Sequence, residues 1–377
     1  MAIDYVEIRD ENTTLLGIVD TAISIIWRSV YFGVGDFEIY MQVTPEAVEL
    51  LQAGRLVTRP DDLEVGIIEK INIENETQGG RMITATGRFV KSILERRLIY
   101  NLSGTVNTPA ILRGNVETEV RRIVSENAIN CTFDPRRNIP LLALGDVAGF
   151  PQIIVDENGA AAQKQVSYQN LLEYTDALLQ EYGLGATVIM DEDAGKLRYV
   201  VYGGIDRSWD NAAGNDHVIF SKDFDNLTSS SYEYNETPEK NFALIGGAGE
   251  GLERFYAAVD GGQAGLQRRE LWVDSASLNR TYRDEESDEE KTYTDNEYNA
   301  MLHAAGKQKL DAQKTVETLS GAIDITNSRW RYNRDFSLGD IVTTQDDDLG
   351  KFINVRLCGV LEVQDENGYS IEANNQT

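Results

Sequence analysis

The first ninety residues carry apolar side chains at nearly alternate positions, a pattern that predicts β-strands. The segments IDYVEIRD, LLGIVD and AISIIWRSVYF are rich in β-branched and aromatic residues and are bounded by Asp, Asn or Gly. In the third segment Ile23, Ile25 and Trp27 lie on one side of an extended chain, so we expect Trp27 to belong to a core. DFEIYMQV, EVGIIEKINIE and RMITATG continue the pattern, and a hairpin turn at 78–80 joins the last two.

A short helix is predicted within this strand-rich block, at TPEAVELLQAG. Thr44 suits the capping position, Pro45 the first helical position and Gly54 the end of the helix. Its apolar residues share one face that would pack on a sheet. These residues are Ala47, Val48, Leu50 and Leu51. Strands, one short helix and a long hairpin together predict a small barrel or a curled sheet.

Beyond Phe89 the apolar residues recur three and four positions apart, which predicts helices. FVKSILERRLIY and VETEVRRIVSENAI show this spacing, and SYQNLLEYTDALLQEYG shows it most clearly. We expect Ser167 to cap the last of these helices, Gly183 to end it, and its leucines to face a core. These leucines are Leu171, Leu172, Leu178 and Leu179. A hairpin of ATVIM and LRYVVYG around 191–195 follows, so the middle block is expected to be α+β.

Strands and one long helix are predicted for the last third of the chain. FALIGGAG, RFYAAV and RRELWVD have the composition of strands, as do GDIVTT, KFINVRLCGVLEVQ and YSIEA near the C-terminus. The segment Asp284–Glu290 is acidic except at Ser287, so we expect a solvated loop that is flexible in the isolated protein. A capping box at Thr294 and Glu297 begins a helix that we expect to reach about Thr318.

The chain is strongly acidic, which limits its partners. Its 377 residues include 62 acidic and 35 basic side chains, giving a formal charge of -27. Such a surface repels DNA and anionic lipid at long range, which disfavours a sequence-specific nucleic-acid reader, although solubility alone would also explain the charge. The apolar stretch 15–35 is interrupted by Asp20 and Arg28, and the start MAIDYVEIRD lacks the order of a signal peptide. We therefore expect no membrane association.

The chain offers little material for catalysis or for metal and cofactor binding. It contains two histidines, His217 and His303, for which we expect ordinary surface or packing roles. Its two cysteines, Cys131 and Cys358, lack the spacing of metal ligands and are expected to be free thiols. We therefore assign no catalytic, cofactor-binding or metal residue.

Two glycine-containing segments match nucleotide-binding loops only in part. In GGAGEG, at 246–251, Leu252 stands where the third glycine of G-x-G-x-x-G belongs, and a strand follows instead of a helix. A hairpin turn or bulge is the favoured interpretation. Gly350 and Lys351 lack the upstream glycine of a Walker motif, and Phe352 replaces its Ser or Thr.

Acidic turns recur along the chain, and none of them has the ligand spacing of an EF-hand calcium loop. Asp, Asn and Gly tolerate positive φ, so these turns suit hairpin tips without a metal. The turns lie at 156–159, 191–193, 346–348 and 365–368. A carboxylate pair for glycoside hydrolysis stays open at this point, because the separation of the two groups in space decides it.

A series of short motifs follows in a fixed order along nearly the whole chain. Trp27, Gly35, Phe37 and Glu38 fit a W-x(n)-G-x-F-E pattern, 66–68 reads GII, and TATGRFVKSILERRLI fits G-x-x-x-x-x-I-L-x-x-R. VYGGIDRSW, VIFSKDFDNL, NFALIGGAGEG-x-x-R, RRELWVD and SLGDIV come next. In order and spacing, the chain resembles the tail-hub, or tail-associated, proteins of siphophages, whose core is shared with the myophage baseplate hub.

The resemblance implies a β-rich α+β fold with two tube-type β-barrel domains and an α+β region between them. Residues 1–100 would form the N-terminal barrel, completed by about 232–273, and 101–231 would form the middle domain. Residues 274–377 would supply the acidic loop, the long helix and the second barrel. Three subunits would then place six pseudo-equivalent barrels in a ring that closes the distal end of a tail tube. The family defines no catalytic residues, so a structural, non-enzymatic role is implied.

The resemblance also implies the partners and the location. We expect a homotrimer in the virion tail tip, assembled in the host bacterial cytoplasm, that contacts the distal tail protein ring, the tape-measure protein and tail fibre or receptor-binding subunits. The sequence runs to Thr377, soon after its last predicted strand, so we expect no receptor-binding or peptidoglycan-cleaving extension of the kind that the family often has. Carboxylates that face the lumen would repel passing DNA, whereas the arginine pairs at 96–97, 121–122 and 136–137 are expected outside.

Two other functions are compatible with the sequence. An acidic carbohydrate-active enzyme could use two of the many carboxylates, with aromatic side chains stacked on sugars. The same hub fold could also serve a DNA-free tail-like bacteriocin or injection particle instead of a phage.

Overall fold

The computed structural model describes residues 3–76, 80–103, 106–155, 161–224, 226–227, 231–276, 278–283, 290–320, 323–324, 328–346 and 348–376. The chain divides into two compact units. The first comprises Met1–Ile154, Ala162–Ser231 and Leu319–Thr377, and the second comprises Val155–Ala161 and Tyr232–Thr318.

The N-terminal block of the first unit is made of strands with one short helix. Its elements are β1 Val6–Arg9, β2 Leu15–Val19, β3 Ser24–Val30, β4 Asp36–Gln42, α1 Pro45–Leu50, β5 Leu56–Arg59, β6 Asp62–Glu76 and β7 Gly80–Phe89.

The middle block of this unit mixes short strands with helices. Its strands and α-helices are β8 Leu102–Ser103, β9 Val106–Asn107, β10 Ala110–Arg113, α2 Val116–Val124, β11 Leu142–Leu144, β12 Gln163–Val166, α3 Leu171–Glu181, β13 Leu184–Asp191, β14 Lys196–Gly203 and β15 Ile219–Ser221. A π-helical turn, Ser125–Ile129, continues α2, and 3₁₀ turns lie at Val90–Arg96, Pro135–Arg137 and Lys222–Phe224.

The remaining elements belong to the second unit and to the C-terminal block. They are β16 Ser231–Asn235, β17 Phe242–Gly246, β18 Tyr256–Asp260, β19 Glu270–Asp274, β20 Thr281–Arg283, β21 Glu290–Thr292, α4 Asp295–Asp311, β22 Val316–Ser320, β23 Ile323–Asp324, β24 Ile341–Asp346, β25 Lys351–Asp365 and β26 Gly368–Gln376. None of the helices in the described ranges has the length and apolar character needed to cross a membrane.

A 15-stranded sheet organises the first unit, in the order β11-β14-β13-β6-β7-β4-β3-β25-β24-β15 with branches. The two longest strands, β6 and β25, each have three partners: β6 pairs with β5, β7 and β13, and β25 pairs with β3, β24 and β26. Among the described residues these pairings form an open sheet and do not close into a ring. The β-rich α+β fold is therefore confirmed, whereas two closed tube-type barrels are not.

The N-terminal core forms around Trp27, as its position in the strand pattern predicts. Trp27 is 1% exposed and packs against Phe37 and Phe89, with ring centroids 5.7 and 4.8 Å apart. Gly66 makes room for this cluster, because a Cβ there would lie 2.4 Å from the Phe37 ring. Ile23 precedes β3 and is exposed, so only part of the predicted face is buried.

Helix capping follows the local sequence in two of the three predicted cases. Thr44 caps α1, and Thr294 forms the predicted capping box with Glu297 at the start of α4. The cap of α3 is corrected: Asn170, not Ser167, accepts hydrogen bonds from the first backbone amides. The Ser167 side chain instead accepts a hydrogen bond from Asn107.

The second unit packs one long helix on a three-stranded sheet. Strand β17 lies between β18, antiparallel to it, and β19, parallel to it. Tyr298 and Leu302 of α4 cover Ala243 and Ile245 of β17. Gly306 permits this close contact, because a Cβ there would lie 2.5 Å from Ile245. The helix ends at Asp311, before the expected Thr318, and the chain then enters β22.

The division of the chain differs from the expected one between 232 and 318. Residues 232–273 pair within the second unit and do not complete the N-terminal sheet, because β17 recruits β18 and β19 as its partners. Helix α4 also belongs to this unit, whereas β24 to β26 belong to the first unit. Of the expected acidic loop Asp284–Glu290, only Glu290 lies among the described residues, and the turns at 78–79 and 156–159 also lie outside them.

Candidate functional site: a buried carboxylate network and an open sheet face

A buried arginine joins the N-terminal and C-terminal strands of the first unit. Arg59, at the end of β5, donates two hydrogen bonds to Glu362 of β25 at 3.0 and 3.2 Å. It also pairs with Asp61 at 2.8 Å. The Arg59 side chain is 2% exposed and that of Glu362 is 9% exposed, so this pair is shielded from water. Tyr369 of β26 donates a further bond to Glu362 at 2.5 Å.

Two more carboxylates stand beside this pair at the start of β6. Asp62 and Glu64 are two positions apart, and side chains at that spacing share one face of a strand. Asp62 accepts a hydrogen bond from the Trp27 indole nitrogen at 2.8 Å. Glu64 accepts bonds from Ser29 of β3 at 2.7 Å and Thr187 of β13 at 2.8 Å. We call Arg59, Asp61, Asp62, Glu64 and Glu362 the carboxylate network.

The network changes the acidity of its members. Burial, together with the negative charge of Asp62, raises the pKa of Glu64 from its ordinary value of 4.5 to about 7. Hydrogen bonds from Ser29 and Thr187 and the charge of Lys91 act in the opposite direction. Burial also raises the pKa of Asp62. Glu64 is therefore the carboxyl of the network that holds a proton closest to neutral pH.

Carboxyls with raised pKa values occur in active sites and in structural ion networks alike. In this network each carboxylate has a protein partner from another strand or from its own turn. The geometry therefore fits a structural role, in which the network ties β3, β5, β6, β13, β25 and β26 together. A sequence signal existed: DDLEVGII places two acids at alternate positions at the start of an otherwise apolar strand.

The two histidines are exposed and belong to different units. His217 belongs to the first unit and His303 to α4 of the second. Cys131 is buried and Cys358 half-buried, and both are free thiols. Across the described parts of the chain, no group of three or more His, Cys, Asp or Glu side chains is placed to hold a metal ion.

The glycine-rich segment 246–251 connects antiparallel strands β17 and β18, as the hairpin interpretation predicts. Gly249 and Gly251 have φ of 99° and 55°, which favours glycine at both positions. The backbone amide of Ala248 donates to the Tyr298 hydroxyl at 2.7 Å, so α4 holds the turn in place. Gly350, with φ of 59°, similarly precedes β25 in a turn.

The hairpin turns at 191–195 and 365–368 also form as expected, between β13 and β14 and between β25 and β26. The Asp191 side chain accepts from the backbone amide of Ala194 and from Arg198. Asp365 accepts from the backbone amide of Asn367 at 2.7 Å. Both acidic turns thus use their carboxylates to close the turn.

Most arginines of the pairs at 96–97, 121–122 and 136–137 are bonded to carboxylates or backbone carbonyls of the same chain. Arg121 and Arg137 are buried and donate to backbone carbonyls. Arg122 pairs with Glu119 at 2.5 Å and with Glu126 at 2.8 Å. Arg136 pairs with Asp134 at 2.8 Å. Little of this positive charge is therefore free to attract a phosphate.

The second unit exposes the face of its sheet opposite α4. Leu244 of β17 lies in register between Ala258 and Trp272, and Tyr256 lies beside Trp272, with ring centroids 6.4 Å apart. Leu244, Tyr256 and Trp272 are 40%, 55% and 49% exposed. We call this surface, with Phe242 at its edge, the open face. Large aromatic residues at the centre of a patch are typical of protein interfaces.

Charges at the rim of the open face balance one another. Arg254 lies 5.2 Å from the Trp272 ring centroid and pairs with Asp274 at 2.5 Å. Arg268 lies 3.7 Å from the Phe242 centroid and pairs with Glu270 at 2.7 Å. Within a chain of charge -27, the open face is thus a locally neutral, apolar surface.

Comparison with known proteins identifies one matching family and several solved structures with a similar fold. The model of the family described as Siphovirus ReqiPepy6 Gp37-like protein matches residues 5–374. Among solved structures, the chain is similar to the tail protein from Neisseria meningitidis MC58, with a TM-score of 0.56 at 14% identity over 99% of this chain and 96% of that one. None of the curated proteins compared matches the chain significantly.

Two prophage proteins have a similar fold as well. The 43 kDa tail protein of prophage MuSo2 from Shewanella oneidensis gives a TM-score of 0.55 at 11% identity, over 99% of this chain and 98% of that one. Prophage tail protein gp18 from Listeria monocytogenes EGD-e gives 0.51 at 11% identity, over 99% and 94%. At these identities the likeness concerns the fold.

Proposed function

The chain belongs to the Siphovirus ReqiPepy6 Gp37-like protein family, and we propose that it is the structural hub subunit at the distal end of a siphophage tail tube. One observation carries the proposal: family and fold similarity extend over the whole chain. The family model matches residues 5–374, and the three tail-protein folds correspond over 94% to 98% of their own lengths. A fold shared from end to end supports a role as a component of the tail.

In this proposal three copies form a closed ring with head-to-tail contacts, as cyclic assemblies of identical chains do. The strand-rich parts at 1–100 and 323–376 are the two tube-type domains, and the sheet that they share would form part of the wall of the tube. The carboxylate network supports this arrangement, because it fastens these two parts to each other within a subunit.

The open face is a contact with a second copy of the chain in this proposal. Chains of charge -27 repel one another wherever their acidic surfaces meet. The open face is apolar, and its rim arginines are already paired with rim acids. It is therefore a surface where two copies can approach with little charge repulsion, and Trp272 and Tyr256 supply the apolar area.

A ring at the distal end of the tail tube would also contact other tail proteins. The ring would lie between the distal tail protein ring and the tape-measure protein on one side and tail fibre or receptor-binding subunits on the other. A DNA-free tail-like particle would use the hub in the same way. Capsid genes beside the tail cluster indicate a phage, and a tail cluster without them indicates such a particle.

We propose no catalytic role, since the perturbed carboxyls are held by neighbouring strands. The rival, a carbohydrate-active enzyme, is tested by incubating the protein with cell-wall and capsule polysaccharides. We expect no release of reducing ends. Release that is lost in a Glu64→Gln variant, and kept in a Glu173→Gln control on the exposed side of α3, would contradict the structural role.

The ring itself is tested by light scattering and electron microscopy. We expect a mass three times that of the chain at high protein concentration and a three-fold density at the tip of purified particles. A chain that stays monomeric at high concentration, in particles whose tips show no such ring, would overturn the proposal.

A further inference from the structure

A cleft of about 480 Å³ lies in the middle block of the first unit. Its walls are the segment 99–101, the start of β10, the end of α2 and the residues that follow the π-helical turn. This volume is in the range of small-ligand pockets, which is about 300–1,000 Å³. The contacts of the proposed ring lie at the strand-rich parts and at the open face. The proposed function therefore gives this cleft no role.

Two buried polar side chains hold the walls of the cleft together. Asn127 is 3% exposed, and its side-chain oxygen accepts from the backbone amide of Tyr100 at 3.3 Å. Its side-chain nitrogen donates to the carbonyl of Ile123 at 2.9 Å. Arg137 is 8% exposed, donates to the carbonyls of Leu98 and Tyr100, and also donates to Asn127. Because the buried side chains of Asn127 and Arg137 are hydrogen-bonded to these segments, the cleft has a defined shape without a ligand.

The π-helical turn sets which side chains reach the cleft. The amide of Asn130 donates to the carbonyl of Ser125, five residues earlier, at 2.7 Å. This wider turn brings Glu126, Asn127 and Asn130 to the same cleft. Single π-turns at the end of an α-helix are uncommon and are frequently found at functional sites.

Arg122 and Glu126, the charged residues that line the cleft, neutralise each other, which disfavours an ionic ligand. Arg122 pairs with Glu126 at 2.8 Å and with Glu119 at 2.5 Å, and it donates to the carbonyl of Ile111 at 2.8 Å. The guanidinium is therefore already occupied on several sides. A phosphate or carboxylate ligand would have to displace these acids.

The rest of the lining suits hydroxyl groups and an apolar ring face. Asn101, Thr108, Asn130 and Thr132 are exposed along the cleft. Their amides and hydroxyls both donate and accept hydrogen bonds, as the hydroxyls of a sugar do. Phe133 adds an aromatic surface whose ring is fixed by Tyr100, with centroids 5.3 Å apart. Neutral amides, hydroxyls and an aromatic ring around a preformed cleft match the chemistry of a neutral saccharide.

We propose that this cleft binds a neutral saccharide unit, held by Glu126 and Asn130 at the π-helical turn and by Phe133. The saccharide could be a free sugar or one unit of a surface glycan, since both present the same hydroxyls. The inference does not depend on ring formation, so its failure would leave the proposed function untouched.

The test is saturation-transfer NMR and calorimetry on the purified full chain. The probes are methyl glucoside, methyl galactoside, rhamnose and N-acetylglucosamine, with N-acetylneuraminic acid as the anionic control. We expect at least one neutral sugar to bind with a millimolar dissociation constant and the anionic sugar not to bind. Longer neutral oligosaccharides of the bound sugar separate the two sources: affinity that rises with length indicates a glycan chain, and constant affinity indicates a single sugar.

Variants at the turn assign the binding to this cleft. Asn130→Ala and Glu126→Ala should each weaken the binding at least about five-fold, as expected for one lost hydrogen bond. Both side chains are exposed, so thermal melting should be little changed. Glu173→Gln, an exposed glutamate of α3 outside the cleft, should bind as the unmodified chain does. Absence of binding by every neutral sugar, preference for the anionic sugar, or unchanged affinity in both variants would overturn the inference.

Discussion

At the scale of single residues, Trp27 is the side chain on which the N-terminal core depends most. Its indole is enclosed by Phe37 and Phe89 and donates to Asp62. Trp27→Ala should lower the free energy of unfolding by about 3–5 kcal/mol, because a cavity replaces a fully buried ring. Urea unfolding followed by circular dichroism measures this loss. Trp27→Phe, which keeps an aromatic ring, should cost less, and a loss below about 1 kcal/mol for Trp27→Ala would place the indole outside the core.

Glu64 should make stability depend on pH in an unusual direction. Its pKa is raised from 4.5 to about 7, so the folded chain binds its proton more tightly than the unfolded chain does. The stabilisation is therefore complete below about pH 4.5 and is lost as the pH rises through about 7. Glu64→Gln should remove this part of the pH dependence, since the amide stays neutral.

The comparison of urea midpoints at about pH 5 and about pH 8 tests this prediction. We expect the unmodified chain to lose more stability between the two pH values than Glu64→Gln does. Asp62→Asn should reduce the difference too, because the charge of Asp62 raises the pKa of Glu64. The same change in midpoint for all three chains would show that Glu64 does not titrate in this range.

At the scale of elements, the pair of Arg59 and Glu362 fastens β5 to β25. Arg59→Met leaves the Glu362 carboxylate buried without its cation, which should lower the free energy of unfolding by about 3–5 kcal/mol. Glu362→Gln should cost less, because Arg59 keeps its ion pair with Asp61. The double variant should recover much of the loss, and the coupling energy is read from the complete cycle.

A matched control is available on the same sheet. Arg88 pairs with Glu69 while its side chain is 41% exposed, so Arg88→Met should cost at most about 1 kcal/mol. Losses at Arg59 no larger than this control, or strictly additive losses in the cycle, would show that the two strands are not held by the pair.

The open face makes a prediction for the sheet of the second unit. Trp272→Glu adds a charge at the centre of the proposed subunit contact, so it should shift the proposed trimer toward monomer in light scattering. Trp272→Phe keeps an apolar ring and should retain the trimer. Because the Trp272 side chain is about half exposed, both variants should fold. If Trp272→Glu still forms the complete ring, another surface joins the subunits.

At the scale of the whole molecule, the charge of -27 predicts negligible affinity for duplex DNA. The arginine pairs do not offset this, since most of them are bound to acids or backbone carbonyls. A duplex titrated against the protein at about 50 mM salt should show no binding, even though phosphate contacts are strongest there. Micromolar, salt-sensitive binding together with a positive channel in the assembled ring would contradict a DNA-repelling lumen.

Local signals in the sequence were sufficient at several sites where the interacting groups lie within a few residues of each other. The cap at Thr44, the capping box at Thr294 and the hairpin turn at 191–195 form as predicted, because capping and turn chemistry act across three or four positions. Alternation also identified Trp27 as a core residue, since side chains two apart on a strand share a face.

The tertiary structure alone decided which distant segments meet. Val363 of β25 pairs with Ile26 of β3, and this pairing brings Glu362 to Arg59, because the shapes of the packed cores, not local patterns, select strand partners. Asn170, which caps α3, is also held by a distant segment, since its side-chain nitrogen donates to the carbonyl of Glu95. The raised pKa of Glu64 likewise depends on burial by distant strands, an environment that no stretch of the sequence contains by itself.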